Sequence, residues 1–458
     1  LTVAAGPQRD HAFESRLRQM EHRELAGRDP YAGRGRNGPR LAITPGVPAV
    51  GALMDLNVET SDACTTFDTR VGEVMAVGTH VIMMEDTANP SGGLTTADYE
   101  ALADSFDASI HPTITGVFGE PSDIDGNDRV IAFYTEAVNE LTPPASSSFI
   151  GGFVFSRDLY STGDCATSNV GEMFYMLAAD PTGEVNGHVR SVSFILENTL
   201  GTLAHEFQHL INASRRMHVN TPWNGLFEET WLNEGLSHVA EELMFYFATG
   251  LAPGANLDET DIGSDPDIED AFFRYAEDNY GRLRQWLISP HTNGPFQGDS
   301  DLATRGSIWA FLRYSADRLG GDQSDFWNAL VNTGNTGLDN LEAELGTDPL
   351  PWFRDFAAAT YADDVGGSPP AEFTQPSWNF RDIYEALDYA PGPGCSCAYP
   401  LEPVDPADGV EESFTLASGG AAAYLRMGVP AGTFAGLAVL SGGLAPPATI
   451  RLAIVRRK

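Results

Sequence analysis

Apolar residues follow two different spacings along the chain, and the spacing changes near residue 198. Between residues 51 and 198 they form short runs that predict β-strands at 79–84, 129–134, 149–156 and 173–177. A helix is predicted to begin after Thr95, because this threonine cap is followed by Asp98 at the capping-box position. From residue 199 to 385 the spacing is helical and predicts helices at 228–248, 267–287, 305–319 and 324–332. The pattern therefore predicts an α+β fold, with a strand-rich lobe at 51–198 and a helical lobe at 199–385.

The two ends of the chain differ from this middle part. Residues 1–50 are rich in arginine, and a short helix at about 11–26 followed by a loose linker is predicted there. Both a pro-segment and an arm that wraps over the surface fit this composition. Residues 386–408 are rich in proline and glycine and predict a linker. Residues 409–458 predict a small C-terminal β domain from strand-like runs at 421–427, 437–440 and 450–455.

Apolar residues between Leu200 and Ile211 also recur at helical spacing, and the helix they predict carries a metal-binding pattern, His205-Glu206-Phe207-Gln208-His209. Four residues of a helix turn through about 400°, so His205 and His209 point the same way, one turn apart. Two imidazoles in this arrangement can share one Zn²⁺, and Glu206 beside them can accept a proton from a water that the metal activates. A core helix with hydrogen-bonded histidines is the alternative, but it does not account for the second motif described next.

The second motif, Trp231-Leu232-Asn233-Glu234-Gly235-Leu236-Ser237, lies on a separate predicted helix and offers Glu234 as a third ligand. Two histidines and one glutamate leave a coordination position open, which is the arrangement of catalytic rather than structural zinc. The pattern H-E-x-x-H-x-x-G-x-x-H is excluded, because Asn212 and Arg215 stand where it needs glycine and histidine.

Three other residues near the motif are alternatives to Glu234 as the third ligand. His218 lies in a predicted helix end or loop. Glu228 and Glu229 fall in the predicted first turn of the next helix, where acidic side chains suit the helix dipole and are expected to point to solvent or to the helix terminus. We therefore predict that His205, His209 and Glu234 hold the metal.

The paired motifs resemble those of the gluzincin metallopeptidases, and within them the hyicolysin-type family of secreted bacterial neutral metallopeptidases. The resemblance covers roughly residues 70–330 and is supported by shorter stretches at 118–121, 123–127, 168–172 and 203–210. It implies a zincin-like, two-lobed catalytic domain that holds one catalytic Zn²⁺ and acts on protein or peptide substrates. The function implied is a secreted zinc endopeptidase with Glu206 as general base.

The resemblance also suggests residues that support the ligands or contact the substrate. His238 stands where thermolysin-like relatives carry an aspartate that orients a zinc histidine, and it is a candidate supporting residue together with Asn233. Candidate oxyanion donors downstream of the ligands are Tyr275, Tyr280, Arg305 and Tyr314. The strand containing Glu172, Met173, Phe174 and Tyr175 is predicted to be the cleft edge that pairs with substrate backbone, with a buried core strand as the alternative.

Two other functions compete with the endopeptidase. A zinc aminopeptidase would need an acidic residue for the substrate amine, and no G-x-M-E-N-type motif provides one. A non-catalytic surface-binding protein on a zincin scaffold would not need the intact set of His205, Glu206, His209 and Glu234.

Charge and cysteine content narrow the partners and the compartment. The net charge of −37 argues against nucleic acid and anionic membrane surfaces, and no apolar run reaches the ~18 residues of a membrane span. Four cysteines, together with a first residue that is Leu1 rather than Met, favour a secreted protein. Cys64–Cys165 is the favoured disulfide, which leaves Cys395 and Cys397, although four cysteines permit other pairings. The oligomeric state is not predicted.

The segment Asp123-Ile124-Asp125-Gly126-Asn127 resembles a Ca²⁺-binding loop whose ligands would be Asp123, Asp125 and Asn127. A turn that connects two strands is favoured over a calcium site. The reason is that an EF-hand needs glycine and glutamate where Asp128 and Tyr134 stand.

Overall fold

The computed structural model describes residue 1 and residues 8–9, 12–31, 46–220, 222–298, 301–366, 369–387, 399–407 and 409–456. A mixed β-sheet occupies the N-terminal part, and helices dominate from residue 192 onward. The α+β arrangement predicted from the apolar spacing is therefore confirmed.

The strands are β1 Gln8–Arg9, β2 Leu53–Asn57, β3 Thr69–Val77, β4 Val81–Asp86, β5 Val130–Thr135, β6 Ser148–Phe149, β7 Gly152–Phe153 and β8 Met173–Leu177. Six of them form one sheet in the order β2-β3-β4-β5-β8-β7, and β1 pairs separately with β6. Neighbours β4, β5 and β8 are parallel, whereas β7 runs antiparallel to β8. Every residue of β5 and β8 is buried, as is typical of parallel strands with both faces covered.

The helices of the N-terminal part are α1 Ala12–Met20, α2 Thr96–Ser105, α3 His111–Phe118 and α4 Glu136–Glu140. Single π-helical turns follow α1 at Glu21–Leu25 and α2 at Phe106–Ile110, and a 3-10 turn spans Ser156–Leu159. The predicted capping box is confirmed, because Thr95 and Asp98 satisfy each other's backbone N–H at the start of α2.

The helices of the C-terminal part are α5 Val192–Ser214, α6 Thr230–Thr249, α7 Glu259–Gly263, α8 Pro266–Tyr275, α9 Glu277–Ile288, α10 Leu302–Leu319, α11 Gln323–Val331, α12 Gly337–Leu345, α13 Leu350–Ala362 and α14 Phe380–Ala386. A π-helical turn at Arg215–Val219 continues α5. The predicted lobe boundary at 198 falls inside α5, because the helix begins at its Ser191 cap. The predicted helix 267–287 is two helices that are interrupted at Ala276.

The N-terminal helix α1 packs into the core. Its side chains Phe13, Leu17 and Met20 are buried, as is Leu25 in the following turn. The helix predicted at 11–26 is thus present, with one face buried and with Arg16 and Gln19 exposed on the other. The pro-segment and the surface arm both stay predictions.

The disulfide between Cys64 and Cys165 is formed, with the two Cα atoms 4.8 Å apart, so the favoured pairing is confirmed. It ties the segment after β2 to the loop before β8. Cys395 and Cys397 lie outside the described residues.

The three strand-like runs predicted in 409–458 do not form strands in the described part of that segment. Two isolated β-bridges occur there instead, one between Ser441 and Leu444 and one between Leu425 and Val404. The physical reason is that a strand gains stability by burying one face, whereas Leu440 and Ile454 are exposed by 62% and 82%. The separate domain and its linker stay predictions. Among the described residues, no helix combines the length and apolar character that a membrane crossing needs.

Candidate metal centre

The three predicted metal ligands come together between α5 and α6. The Nε2 atoms of His205 and His209 are 3.1 Å apart, as their one-turn spacing on α5 requires. Glu234 on α6 places Oε2 at 3.6 Å from the first and 3.5 Å from the second. All three side chains are buried, so the ligand atoms of two different helices face one point inside the protein.

Hydrogen bonds on the far side of each imidazole fix its orientation. His205 Nδ1 lies 3.0 Å from Glu241 Oε1, and His209 Nδ1 lies 3.0 Å from Ser237 Oγ, which donates to Gln208 Oε1 at 2.7 Å. A carboxylate only accepts, and a hydroxyl that already donates its proton can only accept a second bond. Both Nδ1 atoms therefore carry a proton, and each ring in its neutral form presents a lone pair at Nε2.

This donor set fits a zinc ion. Two imidazole nitrogens and a carboxylate oxygen converge at one buried point, where each can donate a lone pair to a cation. Two imidazoles and one carboxylate are ligands that Zn²⁺ accepts in catalytic sites.

The close approach of α6 to α10 depends on a glycine next to the ligand. A Cβ on Gly235 would lie 2.9 Å from both Ile308 and Leu312 of α10. The glycine therefore makes room for a closely packed helix and so allows Glu234 its position.

Glu206 is the acid–base candidate and lies beside the ligands on α5. It is buried, and among the described residues no group hydrogen-bonds to its Oε2 atom. Burial raises the pKa of Glu206, while His205 and His209 act in the opposite direction. An oriented carboxylate with an unused acceptor atom is what a general base needs.

Arg305 alone among the four predicted oxyanion donors has a contact with the centre. Its Nη1 atom lies 2.6 Å from Glu234 Oε2 and 2.6 Å from Glu14 Oε2. Although burial acts to raise the pKa of Glu234, the Arg305 charge and the two histidines hold it well below its usual range. Glu234 is thus ionised, as a metal ligand must be.

The three predicted tyrosines occupy other places in the helical part. Tyr280 lies in an aromatic cluster whose members include Phe272, Trp309 and Trp378. The hydroxyl of Tyr314 donates to the Glu372 carbonyl at 2.8 Å and accepts from Arg318. Tyr275 is the buried last residue of α8. Aromatic packing accounts for the position of Tyr280, and hydrogen bonds account for that of Tyr314. The positions of the three tyrosines do not support the prediction that they are oxyanion donors.

Of the two predicted supporting residues, neither holds a ligand directly. His238 bonds to Glu241 Oε2 at 3.2 Å, and its ring centroid lies 4.8 Å from that of His205. Asn233 accepts from the side chain of Asn212 at 2.8 Å. The residue that orients His205 is Glu241, which the sequence reading missed, although it stands two helical turns after Glu234 on the same face of α6.

The rejected alternatives for the third ligand lie elsewhere. His218 bonds to the hydroxyl of Tyr31 and to the carbonyl of Leu159. Glu228 is buried in an ion pair with Arg216, contrary to the expectation that it points to solvent. Glu229 is exposed, as expected, but it is the residue before α6 and not part of its first turn.

The predicted cleft-edge strand is wrong, because β8 lies between β5 and β7 inside the sheet. Met173, Phe174 and Tyr175 are buried core residues. The edge is instead β7, whose Gly152 accommodates β8: a Cβ there would lie 2.9 Å from the Tyr175 carbonyl. Strand order depends on non-local pairing, which the spacing of apolar residues does not record.

Glu172 belongs to the acidic loop rather than to the cleft. Its carboxylate accepts from Ser122 Oγ at 2.5 Å and from the backbone of Ile124 at 3.1 Å, and it clusters with Asp123 and Asp125. Burial raises the pKa of Glu172 to about 8 and that of Asp125 to about 6.

The loop itself forms the favoured turn. Asp123 Oδ1 accepts from the backbone of Gly126 at 2.9 Å and of Asn127 at 3.0 Å, and the Asn127 side chain donates to Asp125 Oδ2. A calcium ion at Asp123, Asp125 and Asn127 stays a prediction, and Glu172 is the further acidic neighbour in the cluster.

The N-terminal helix contributes two charged residues that the sequence reading did not connect with the centre. Glu14 offers an oxygen within 4.8 Å of ligand atoms of His205 and Glu206. Arg18 is buried, and the charges acting on it include those of Glu234 and Glu206. Glu14 and His205 are far apart in sequence, so no local pattern could have linked them.

Two histidines of an H-E-x-x-H helix and a glutamate of the next motif helix thus form a buried group that is consistent with a zinc ion. No known family model matches the sequence. The chain is, however, a distant homologue of the neutral metalloprotease ShpI of Staphylococcus hyicus, to which it is 29% identical over 142 residues. The matched region covers 31% of this chain and 30% of that protein.

Proposed function

We propose that the protein is a zinc-dependent endopeptidase in which His205, His209 and Glu234 hold one Zn²⁺ and Glu206 is the general base. The observation that carries the proposal is the convergence of three buried, oriented ligand atoms beside Glu206. Homology to a neutral metalloprotease supports the same reaction class. A zinc ion held there would supply Lewis acidity toward a water molecule and toward the scissile carbonyl.

The residues of this chain would divide the remaining work. Glu206 would accept the water proton and pass it to the leaving amine. Glu241 and Ser237 keep the Nδ1 atoms of the histidines protonated, so that the Nε2 atoms stay available as ligands. Arg305 is the donor that lies close enough to support negative charge developing at the centre.

We also propose a zincin-like arrangement of two lobes around this centre. Helix α5 packs on β7 and β8 of the strand-rich part, and α6 packs on α5 and on α10 of the helical part. The ligands on α5 and α6 thus lie at the junction of the two parts, where a cleft would receive peptide.

The disulfide Cys64–Cys165 supports secretion, because such bonds persist in oxidising compartments. A protein or peptide substrate is the partner that the proposed reaction implies. Among the described residues, a partly buried acidic cluster fits a Ca²⁺ ion in ligand type only, and we keep calcium as a proposal to be tested.

The test combines metal analysis with two substrates. We expect one zinc per chain, casein digestion that 1,10-phenanthroline abolishes, and internal cleavage of a peptide whose amino terminus is acetylated. Cleavage restricted to peptides with a free amino terminus would instead support an aminopeptidase. Stoichiometric zinc without hydrolysis of any peptide by the chain, even after removal of its N-terminal segment, would support a non-catalytic scaffold.

A further inference from the structure

Helix α1 presents a carboxylate to the metal centre. Glu14 is 8% exposed, pairs with Arg305, and lies in the same cluster of ligand atoms as His205 and Glu206. Arg305 Nη1 contacts both Glu14 and Glu234 at 2.6 Å. A side chain from the N-terminal segment therefore lies beside the ligands and the proposed general base Glu206.

The same segment occupies hydrogen-bonding groups at the edge of the sheet. Arg18 donates to the Val154 carbonyl at 2.7 Å, and Glu21 accepts from the Ser156 backbone N–H at 2.7 Å. Arg18 and Glu21 are paired with each other at 2.6 Å. Residues 154–156 directly follow edge strand β7, and free backbone groups at a sheet edge are those that an extended peptide uses when it binds by strand addition.

Apolar and backbone contacts attach this segment to both parts of the protein. The Phe13 ring packs edge-on against Phe153 of β7, with centroids 5.1 Å apart. On the other side, the backbone N–H of Gly27 donates to the Gly225 carbonyl at 2.9 Å. The segment therefore contacts both the strand-rich part, at β7, and the loop that precedes α6.

We propose that residues 12–31 are an internal occupant of the catalytic cleft, and that they exclude peptide until they leave it. Glu14 blocks the approach to the ligands, while Arg18 and Glu21 saturate the edge at 154–156. This inference rests on the proposed function, because the cleft it describes is the peptide-binding cleft of that enzyme. It assigns Val154 and Ser156 as backbone partners of the substrate.

The first experiment compares Glu14→Gln with Arg16→Gln, a matched control that removes a charge from the exposed face of the same helix. Three quantities are measured on zinc-loaded protein: amide hydrogen exchange in residues 12–25 and at Ser156, the rate of zinc transfer to a chelating dye, and cleavage of an acetylated peptide. We expect each to rise about tenfold or more in Glu14→Gln only, the size associated with a lost hydrogen bond between charged groups.

A second variant does not depend on a point substitution in the helix. A recognition site for a sequence-specific protease is inserted within residues 32–45, and the same preparation is measured before cutting and after cutting with removal of the released segment. Increased peptide cleavage at unchanged zinc content supports the proposal. Equal exchange, zinc transfer and turnover in wild type and Glu14→Gln, together with no gain on cutting, would overturn it.

Failure of the proposed function has a different signature. In one case, amide hydrogen exchange in residues 12–25 is faster in Glu14→Gln, but the protein binds no zinc. In the other case, the protein binds zinc but cleaves no peptide after the segment is released. Either result would refute the proposed peptidase function, and the segment would then have no peptide-binding cleft to occupy.

Discussion

Replacing Glu241 with glutamine should weaken zinc binding without unfolding the protein. The carboxylate accepts from His205 Nδ1 at 3.0 Å and holds Arg282 Nη1 at 3.3 Å. Glutamine keeps the shape and can still accept from one partner, but it leaves the Arg282 guanidinium without the buried negative charge beside it. His205 then faces a neutral amide, which is a weaker acceptor for the Nδ1 proton than a carboxylate and strengthens the ring less as a ligand.

The expected magnitude follows from the single orienting bond. Partners behind a zinc histidine change metal affinity by about 10- to 100-fold, which corresponds to roughly 1.4 to 2.8 kcal/mol. His209 and Glu234 keep their contacts, so binding should be weakened rather than lost. We expect a similar loss in kcat/KM at limiting zinc, and part of it should be recovered at saturating zinc.

The assay is competition for zinc against a chelating dye, with thermal unfolding recorded for each variant. Asp278→Asn is the matched control, because Asp278 is the half-exposed second partner of Arg282 at 3.4 Å and does not touch His205. It should keep wild-type zinc affinity. Wild-type affinity in a folded Glu241→Gln protein would refute the view that this carboxylate orients His205.

Three further predictions concern the ligands, the base and the acidic loop. Glu206→Gln should keep zinc and fold but lose peptide hydrolysis by at least about 10²-fold, since glutamine cannot take up the proton; near-normal turnover of the zinc-loaded variant would sink the general-base assignment. Glu234→Ala should purify with little zinc, whereas the exposed Glu229→Ala retains it; atomic absorption on both proteins decides the ligand. Burial raises the pKa of Glu172 from the ordinary 4.5 to about 8. We therefore expect the free energy of unfolding to be highest below about pH 4.5 and to fall by at most about 5 kcal/mol as the pH rises to about 8. Urea unfolding at several pH values should show this fall in wild type and not in Glu172→Gln, and Ca²⁺ should stabilise wild type at pH 8 if the loop binds it; an equal fall in both proteins contradicts the assignment.

The ligands could be predicted from sequence because helix geometry is local. The spacing of His205 and His209 by one turn fixes their relative placement before any tertiary contact exists. Glu234 needed a second motif, and its position relative to the first helix depends on packing of α6 against α10 at Gly235. The pattern predicted the ligand, whereas the close helix contact that positions it became visible only in the structure.

The residues around the ligands could not be predicted in the same way, because they come from separate elements. Arg282 reaches Glu241 from α9, and Glu14 reaches Arg305 from the N-terminal helix. The sequence predicted that β8 lies at the edge of the sheet, whereas the two-residue strand β7 lies there. Each of these features is set by long-range packing, which leaves little trace in local periodicity.

The charges at the centre bear on what release of α1 would change. Arg18, Arg282 and Arg305 lie among the carboxylates of Glu14 and Glu234 and of the supporting residue Glu241. Departure of residues 12–31 withdraws Arg18 together with its partner Glu21, and it also withdraws Glu14 from Arg305. The surroundings of the ligands then lose one net negative charge, while Glu234 keeps its contact with Arg305. Equilibrium zinc affinity should therefore fall somewhat, because a negative charge close to the ligands favours a bound cation. The rate of zinc exchange and the access of peptide should rise by much more, because both depend on the segment leaving the centre. In an autoinhibited zinc enzyme this difference permits the metal to be bound before activation, while the segment controls access to the centre.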